Sequence, residues 1–165
     1  MKKIVLVGLM LLSNFAFAQD NCDVKVINDE LTRKTIVTTD PVIINEISMN
    51  FIGGNYRGEY HKMFFKVEEK PCIDFRSMVY ILFDDGSRIE RGNVLKYNCN
   101  GFSEIIINSK KDRESLKTKK IKSIQVSAFN SVYRIEVEEE QSDILQKQYQ
   151  CLEERNYLKL VEYKY

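Results

Sequence analysis

One histidine, four cysteines and several runs of neighbouring carboxylates are the residues here with the most obvious chemistry. His61 stands alone, so a Ser-His-Asp triad or a Cys-His pair would have to run through it. A Cys-His pair needs a free thiolate, and cysteines paired as disulfides leave none. His61 is accompanied by no His-Glu-x-x-His, no Gly-x-Ser-x-Gly elbow, no P-loop and no dinucleotide fingerprint. The carboxylates at Glu68-Glu69, Asp84-Asp85 and 138–140 are sequence neighbours. Glycosidase chemistry instead needs two carboxyls facing each other across a cleft, roughly 5 to 10 Å apart. Asp84-Asp85-Gly86-Ser87 reads as a turn, because Asp and Gly accept positive φ, and it lacks the dense Asp-x-Asp-x-Asp-Gly pattern of a calcium loop. The reading is therefore non-enzymatic, with no cofactor and no metal. Two alternatives are a carboxylate-dependent hydrolase assembled only by the fold, and a purely structural envelope component.

The cysteines point to oxidation rather than catalysis. Cys22, Cys72, Cys99 and Cys151 form no Cys-x-x-Cys, so neither a thioredoxin-like motif nor a zinc ribbon is present. An even number suggests two disulfides. If Asp85-Gly86 is a two-residue hairpin turn, residues equidistant from it face each other. Cys72 and Cys99 are each thirteen positions out. Opposed strand residues have Cβ atoms about 4.5–5.5 Å apart, close to disulfide distance. This predicts Cys72 with Cys99 and, by elimination, Cys22 with Cys151.

Oxidation requires export, and the N-terminus supplies a route. Lys2-Lys3, an apolar run from Ile4 to Phe17 and Ala16-Phe17-Ala18 form a signal-peptide pattern, so residues 1–18 are expected to be cleaved before Gln19. Residues 19–165 then make one domain in the periplasm or outside the cell. The formal net charge of +1 loses two lysines and becomes slightly negative, which gives no reason to expect nucleic acid as a partner. No later stretch is apolar enough to span a bilayer.

The segment most suggestive of recognition is 53–62. Gly53, Gly54 and Gly58 surround Tyr56, Arg57, Tyr60 and His61, residues favoured at contact surfaces. They are read as an adaptable binding loop for a protein or glycan of the cell envelope. The competing reading is a long hairpin whose tyrosines pack on a sheet edge.

The elements that position these residues are mostly strands. Ile47, Met49 and Phe51 alternate with polar residues, as do Met63, Phe65 and Val67 around 64 and 66. Residues 78–83 are apolar on both faces, which marks a central strand, and 88–97 would return with a bulge at Gly92. Further strands are expected at 105–107, 124–128 and 133–137, with a turn at Asn130-Ser131. A weaker pair is expected at 24–27 and 35–39. One helix, about 142–154, is predicted from the spacing of Ile144, Leu145, Tyr149 and Leu152, with Ser142 as N-cap. A short helical turn at 112–116 is a further option. The tail 157–163 alternates again, as an edge strand or a frayed end.

Asp29-Glu30-Leu31-Thr32-Arg33-Lys34-Thr35, Leu82-Phe83-Asp84-Asp85-Gly86-Ser87 and Lys122-Ser123-Ile124 occur in order, before the amphipathic helix ending near Cys151. In this the chain resembles small exported β-rich proteins of uncharacterised function from Gram-negative bacteria. The resemblance implies a β-sandwich with a C-terminal helix and carries over no site residue. The fold class expected is thus mainly β: an antiparallel sandwich, or open barrel, with one C-terminal helix packed on it.

Overall fold

The computed structural model describes residues 24–29, 34–54 and 60–162. The expected signal peptide 1–18 lies outside them. Two antiparallel sheets share one buried cluster, in a sandwich-like arrangement. The larger sheet runs β1 (Val24–Asp29), β2 (Lys34–Thr39), β4 (Ile47–Gly54), β5 (Tyr60–Val67) and β8 (Phe102–Ile106), with β3 (Val42–Ile44) also paired to β4. The smaller runs β10 (Val132–Glu136), β9 (Ile121–Ser127), β6 (Met78–Phe83) and β7 (Arg88–Gly92).

Period-2 alternation decides which side chains enter the core. Ile47, Met49 and Phe51 of β4 are buried, and so are His61, Met63, Phe65 and Val67 of β5. In β6 the residues Val79, Ile81 and Phe83 are buried while Met78, Tyr80 and Leu82 are half-buried. That pattern is what its central place between β9 and β7 requires.

Two helices complete the fold. α1 (Lys110–Thr118) is longer than the turn expected at 112–116. Ser109 caps it by accepting from Asp112 N–H at 3.0 Å. α2 (Glu139–Glu162) packs on the larger sheet through Leu145, Tyr149 and Leu152, all fully buried. Burying each such side chain is worth about 1.5–3 kcal/mol. Tyr149 meets Phe51 with ring centroids 5.1 Å apart.

α2 departs from expectation at three places. It begins before Ser142, because Gln141 Oε1 accepts from Glu138 N–H at 3.1 Å, the backward half of a capping box, with Glu139 and Glu140 in the positive first turn. Ser142 is therefore not the cap. Its buried hydroxyl accepts from Ile121 N–H at 2.7 Å, tying the helix to the start of β9. Ile144 is 43 % exposed, since the inward stripe runs through 142, 145, 149 and 152. The tail expected as an edge strand or a frayed end continues the helix to Glu162.

Candidate functional site

The Cys72–Cys99 disulfide is present, but the ladder beneath it is not the one expected. The β6–β7 turn is a three-residue loop, Asp84-Asp85-Gly86. Phe83 N–H donates to Ser87 O at 2.9 Å and Gly86 N–H to Phe83 O at 3.1 Å, with Gly86 at φ 81°. This shifts the register by one residue, so Met78 faces Gly92. The return strand stops at Gly92 instead of bulging there and continuing to 97. Four residues (74–77) then stand opposite five (93–97), and the additional residue restores the pairing at Ile73–Asn98. The two cysteines follow directly. Cys151 is also disulfide-bonded, and no described cysteine is free. Its expected partner, Cys22, lies outside the described residues.

The unequal arms enclose a polar hub. Asn93 Oδ1 accepts from Glu104 N–H (3.0 Å), Leu95 N–H (3.2 Å) and Ser103 Oγ (3.3 Å). Its Nδ2 donates to Asp74 O and Leu95 O, both at 3.0 Å. One buried amide thus joins the smaller sheet to β8 of the larger. Beside it, residues 74–77 form a turn closed by Ser77 N–H to Asp74 O at 3.1 Å. Asp74 Oδ1 accepts from Arg76 N–H at 2.9 Å, an Asx-turn, and Oδ2 accepts from Arg76 Nε at 3.0 Å. Burial pushes the Asp74 carboxyl up, but the Arg76 N–H and guanidinium, with the Ser77 hydroxyl, hold it below the ordinary value.

This turn aims its central residues at solvent. Phe75 is 77 % exposed. A second aromatic arrives from the β9–β10 connection: Phe129 N–H donates to Cys72 O at 3.0 Å, and Phe129 is 57 % exposed. The Arg76 guanidinium lies over both rings, with Cζ 5.7 Å from the Phe75 centroid and 5.4 Å from that of Phe129. A shallow hollow of about 220 Å³ opens between Asp74, Arg76, Ser77, Ala128 and Phe129. Tyr97, also exposed, places Oη 3.1 Å from Cys99 Sγ. Two exposed aromatics thus bracket an arginine held by Asp74, beside the Cys72–Cys99 disulfide.

Of the binding residues singled out from sequence, Tyr60 and His61 are described, and they do not form a loop surface. Gly53 and Gly54 belong to β4 and 60–62 to β5, so the connection is only 55–59, and Tyr56 and Arg57 lie outside the described residues. Tyr60 is half-buried, its phenol lying across Gly54, where a Cβ would overlap the ring. Lys62 Nζ lies 5.4 Å from its centroid. His61 is not on a loop surface. It is 1 % exposed, because alternation along β5 turns it inward, where Nδ1 shares a 3.1 Å hydrogen bond with Tyr149 Oη. Of the neighbouring carboxylates, Asp85 holds structure. Asp85 binds Lys119 Nζ at 2.7 Å and accepts from Ser87 Oγ at 2.5 Å. Buried Asp112 binds Arg91 and so fastens α1 to β7. Among the described residues no group of three or more His, Cys, Asp or Glu is placed to hold a metal, and no helix is long and apolar enough to cross a membrane.

Phe75, Arg76 and Phe129 escaped the sequence reading, although a signal existed. Asp74-x-x-Ser77 and Asn130-Ser131 are both turn chemistry, and an aromatic inside a turn has no inward face to occupy. Comparisons with protein-family models, with curated proteins and with solved structures give no match.

Proposed function

We propose that the protein is an exported, non-enzymatic interaction module of the cell envelope, periplasmic or secreted. It engages an envelope protein or glycan through Phe75, Arg76 and Phe129. The observation that carries this reading is the exposure of both phenylalanines on a rigid frame. Surface rings of this size forfeit hydrophobic stabilisation in the free protein, and binding would recover it. Arg76 is pre-ordered by Asp74, so contact through it would cost less side-chain entropy. The disulfides support an oxidising compartment.

The test is capture from the native envelope with the wild-type chain and with Phe75→Ser/Phe129→Ser. A partner should co-purify with the wild type and be lost with the double variant, while both melt at nearly the same temperature. Equal recovery of that partner with both proteins would dismiss this surface. Mass spectrometry should find Gln19 at the N-terminus of the envelope protein, and an intact Met1 there would dismiss the export route.

A further inference from the structure

The outer face of the smaller sheet carries its charges in an order fixed by strand register. Across β10, β9, β6 and β7, one row reads Arg134, Gln125, Tyr80 and Glu90. Two residues along, the next row reads Glu136, Ser123, Leu82 and Arg88. Cation and anion therefore exchange places between the two edges. Arg134 and Glu136 are 3.2 Å apart on one edge, and Arg88 and Glu90 are 3.3 Å apart on the other. All four side chains are between 42 % and 67 % exposed, so these pairs within one molecule hold little energy. Buried Ser123 sits among larger neighbours, and the face is hollowed there by about 270 Å³. Tyr80 and Leu82 stand half-buried beside the hollow.

We propose that this face pairs with the same face of a second copy, about a two-fold axis parallel to the strands between β9 and β6. That axis lays β10 over β7 of the other copy, and β9 over β6. Arg134 then meets Glu90 of the second copy, and Glu136 meets its Arg88. Leu82 of each copy lies over Ser123 of the other, where the small residue leaves room. Tyr80 lies over Gln125, a hydroxyl facing an amide. Packed sheets stand about 10 Å apart, a gap that opposed Arg and Glu side chains can bridge. The arrangement is isologous, so each cross-pair occurs twice. Sliding one sheet by two residues would set Arg134 against Arg88, so repulsion guards the register. A four-strand face of this length buries less than the roughly 800 Å² per partner of a standard interface, so the dimer is weak and salt-sensitive.

Sedimentation velocity on the purified, oxidised protein tests this, over about 10 µM to 1 mM. The weight-average sedimentation coefficient should rise with concentration, and rise less as salt goes from about 0.05 to 0.5 M. Glu90→Arg alone turns two symmetry-related attractions into repulsions and should weaken association at least about tenfold, as should Arg134→Glu alone. Combining the two substitutions exchanges the partners and should restore association to the wild-type level or beyond. A two-fold axis across the strands would instead bring like-charged edges together in that double variant and abolish pairing. Circular dichroism should be the same for all four proteins, since the changes are on exposed side chains. A wild type that stays monomeric throughout overturns the proposal. So does association indifferent to the single reversals, or a double variant that fails to recover.

Discussion

The two ends of the β6–β7 hairpin are built on different principles. At the turn, most of what is needed lies within a few residues: Phe83 N–H to Ser87 O, Gly86 N–H to Phe83 O, the left-handed Gly86, and Asp85 accepting from its neighbour Ser87. From elsewhere, Lys119 Nζ reaches Asp85 and Ser87, and the neighbouring Lys120 O accepts from Asp84 N–H at 3.0 Å. At the open end the strands part. Their polar groups are satisfied by Asn93 bridging to β8, by Asp74 folding a turn on itself, and by a disulfide that clasps the arms. The exposed aromatic pair stands on that second, non-local construction. Local chemistry is enough to reverse a chain, whereas holding large apolar side chains in water takes several distant segments acting together.

The contrast can be broken most severely at Asn93. Asn93→Leu keeps the volume but strands donors on Leu95 and Glu104 and the acceptor at Leu95, and leaves Asp74 O with Ser77 N–H alone. Chemical denaturation should show a loss of about 3–5 kcal/mol. A loss below about 1 kcal/mol would mean that water replaces the amide without penalty and that the open end is not a hub.

Gly101 comes next. Its φ is 75°, its N–H donates to Pro71 O at 3.2 Å, and its O accepts from Val67 N–H at 2.9 Å. A Cβ there would run into Val67 O and the Lys70 Cα. Gly101→Ala should cost about 2–4 kcal/mol, combining left-handed strain with a backbone collision. Gly86 has a similar φ, but a Cβ there meets nothing within 4 Å. Gly86→Ala should therefore cost only the strain, about 1–2 kcal/mol. Equal losses at the two glycines would erase the distinction between a local turn and a crowded junction.

That distinction also explains what the sequence revealed. The alternation of 47–51 and 63–67, the apolar run 78–83 and the Asp-Gly turn are local patterns; the first three became the expected strands, and the turn formed where expected but with three residues in place of two. The Cys72–Cys99 pair followed from symmetry about the turn, although two one-residue shifts, at the loop and in the 93–97 arm, cancel beneath it. The surroundings of His61 look like a glycine-rich loop, whereas the period set by Met63 and Phe65 turns it inward. N-cap preference points to Ser142 but says nothing of the β9 amide that claims its hydroxyl. Asn93 gave no signal, since an asparagine after a glycine reads as loop until the fold brings β8 beside it. Phe75 and Phe129 are 54 residues apart in number and are joined only through Arg76 and Cys72 O.

The smallest expected effect is in the acid limb, where the two ends differ in kind of screening. Lys119 Nζ, then the Ser87 hydroxyl and N–H, hold the Asp85 carboxyl well below the usual range, against a modest opposing effect of burial. Asp74 is also lowered, its burial outweighed by Arg76 and Ser77. A carboxyl whose folded value is depressed adds stability above its unfolded value, about 3.9, and loses it as pH falls through the folded one. Wild type should therefore exceed Asp85→Asn in urea midpoint at pH 7, and the gap should narrow below about pH 4. Asp74→Asn should behave alike in pH but not in salt. Asp85 and Lys119 are 47 % and 29 % exposed, whereas the Asp74 side chain is 8 % exposed. Raising salt to about 0.5 M should thus shrink the Asp85 gap and leave most of the Asp74 gap. The same salt response from both would place the two carboxylates in one environment, and the ends of the hairpin would then differ in geometry alone.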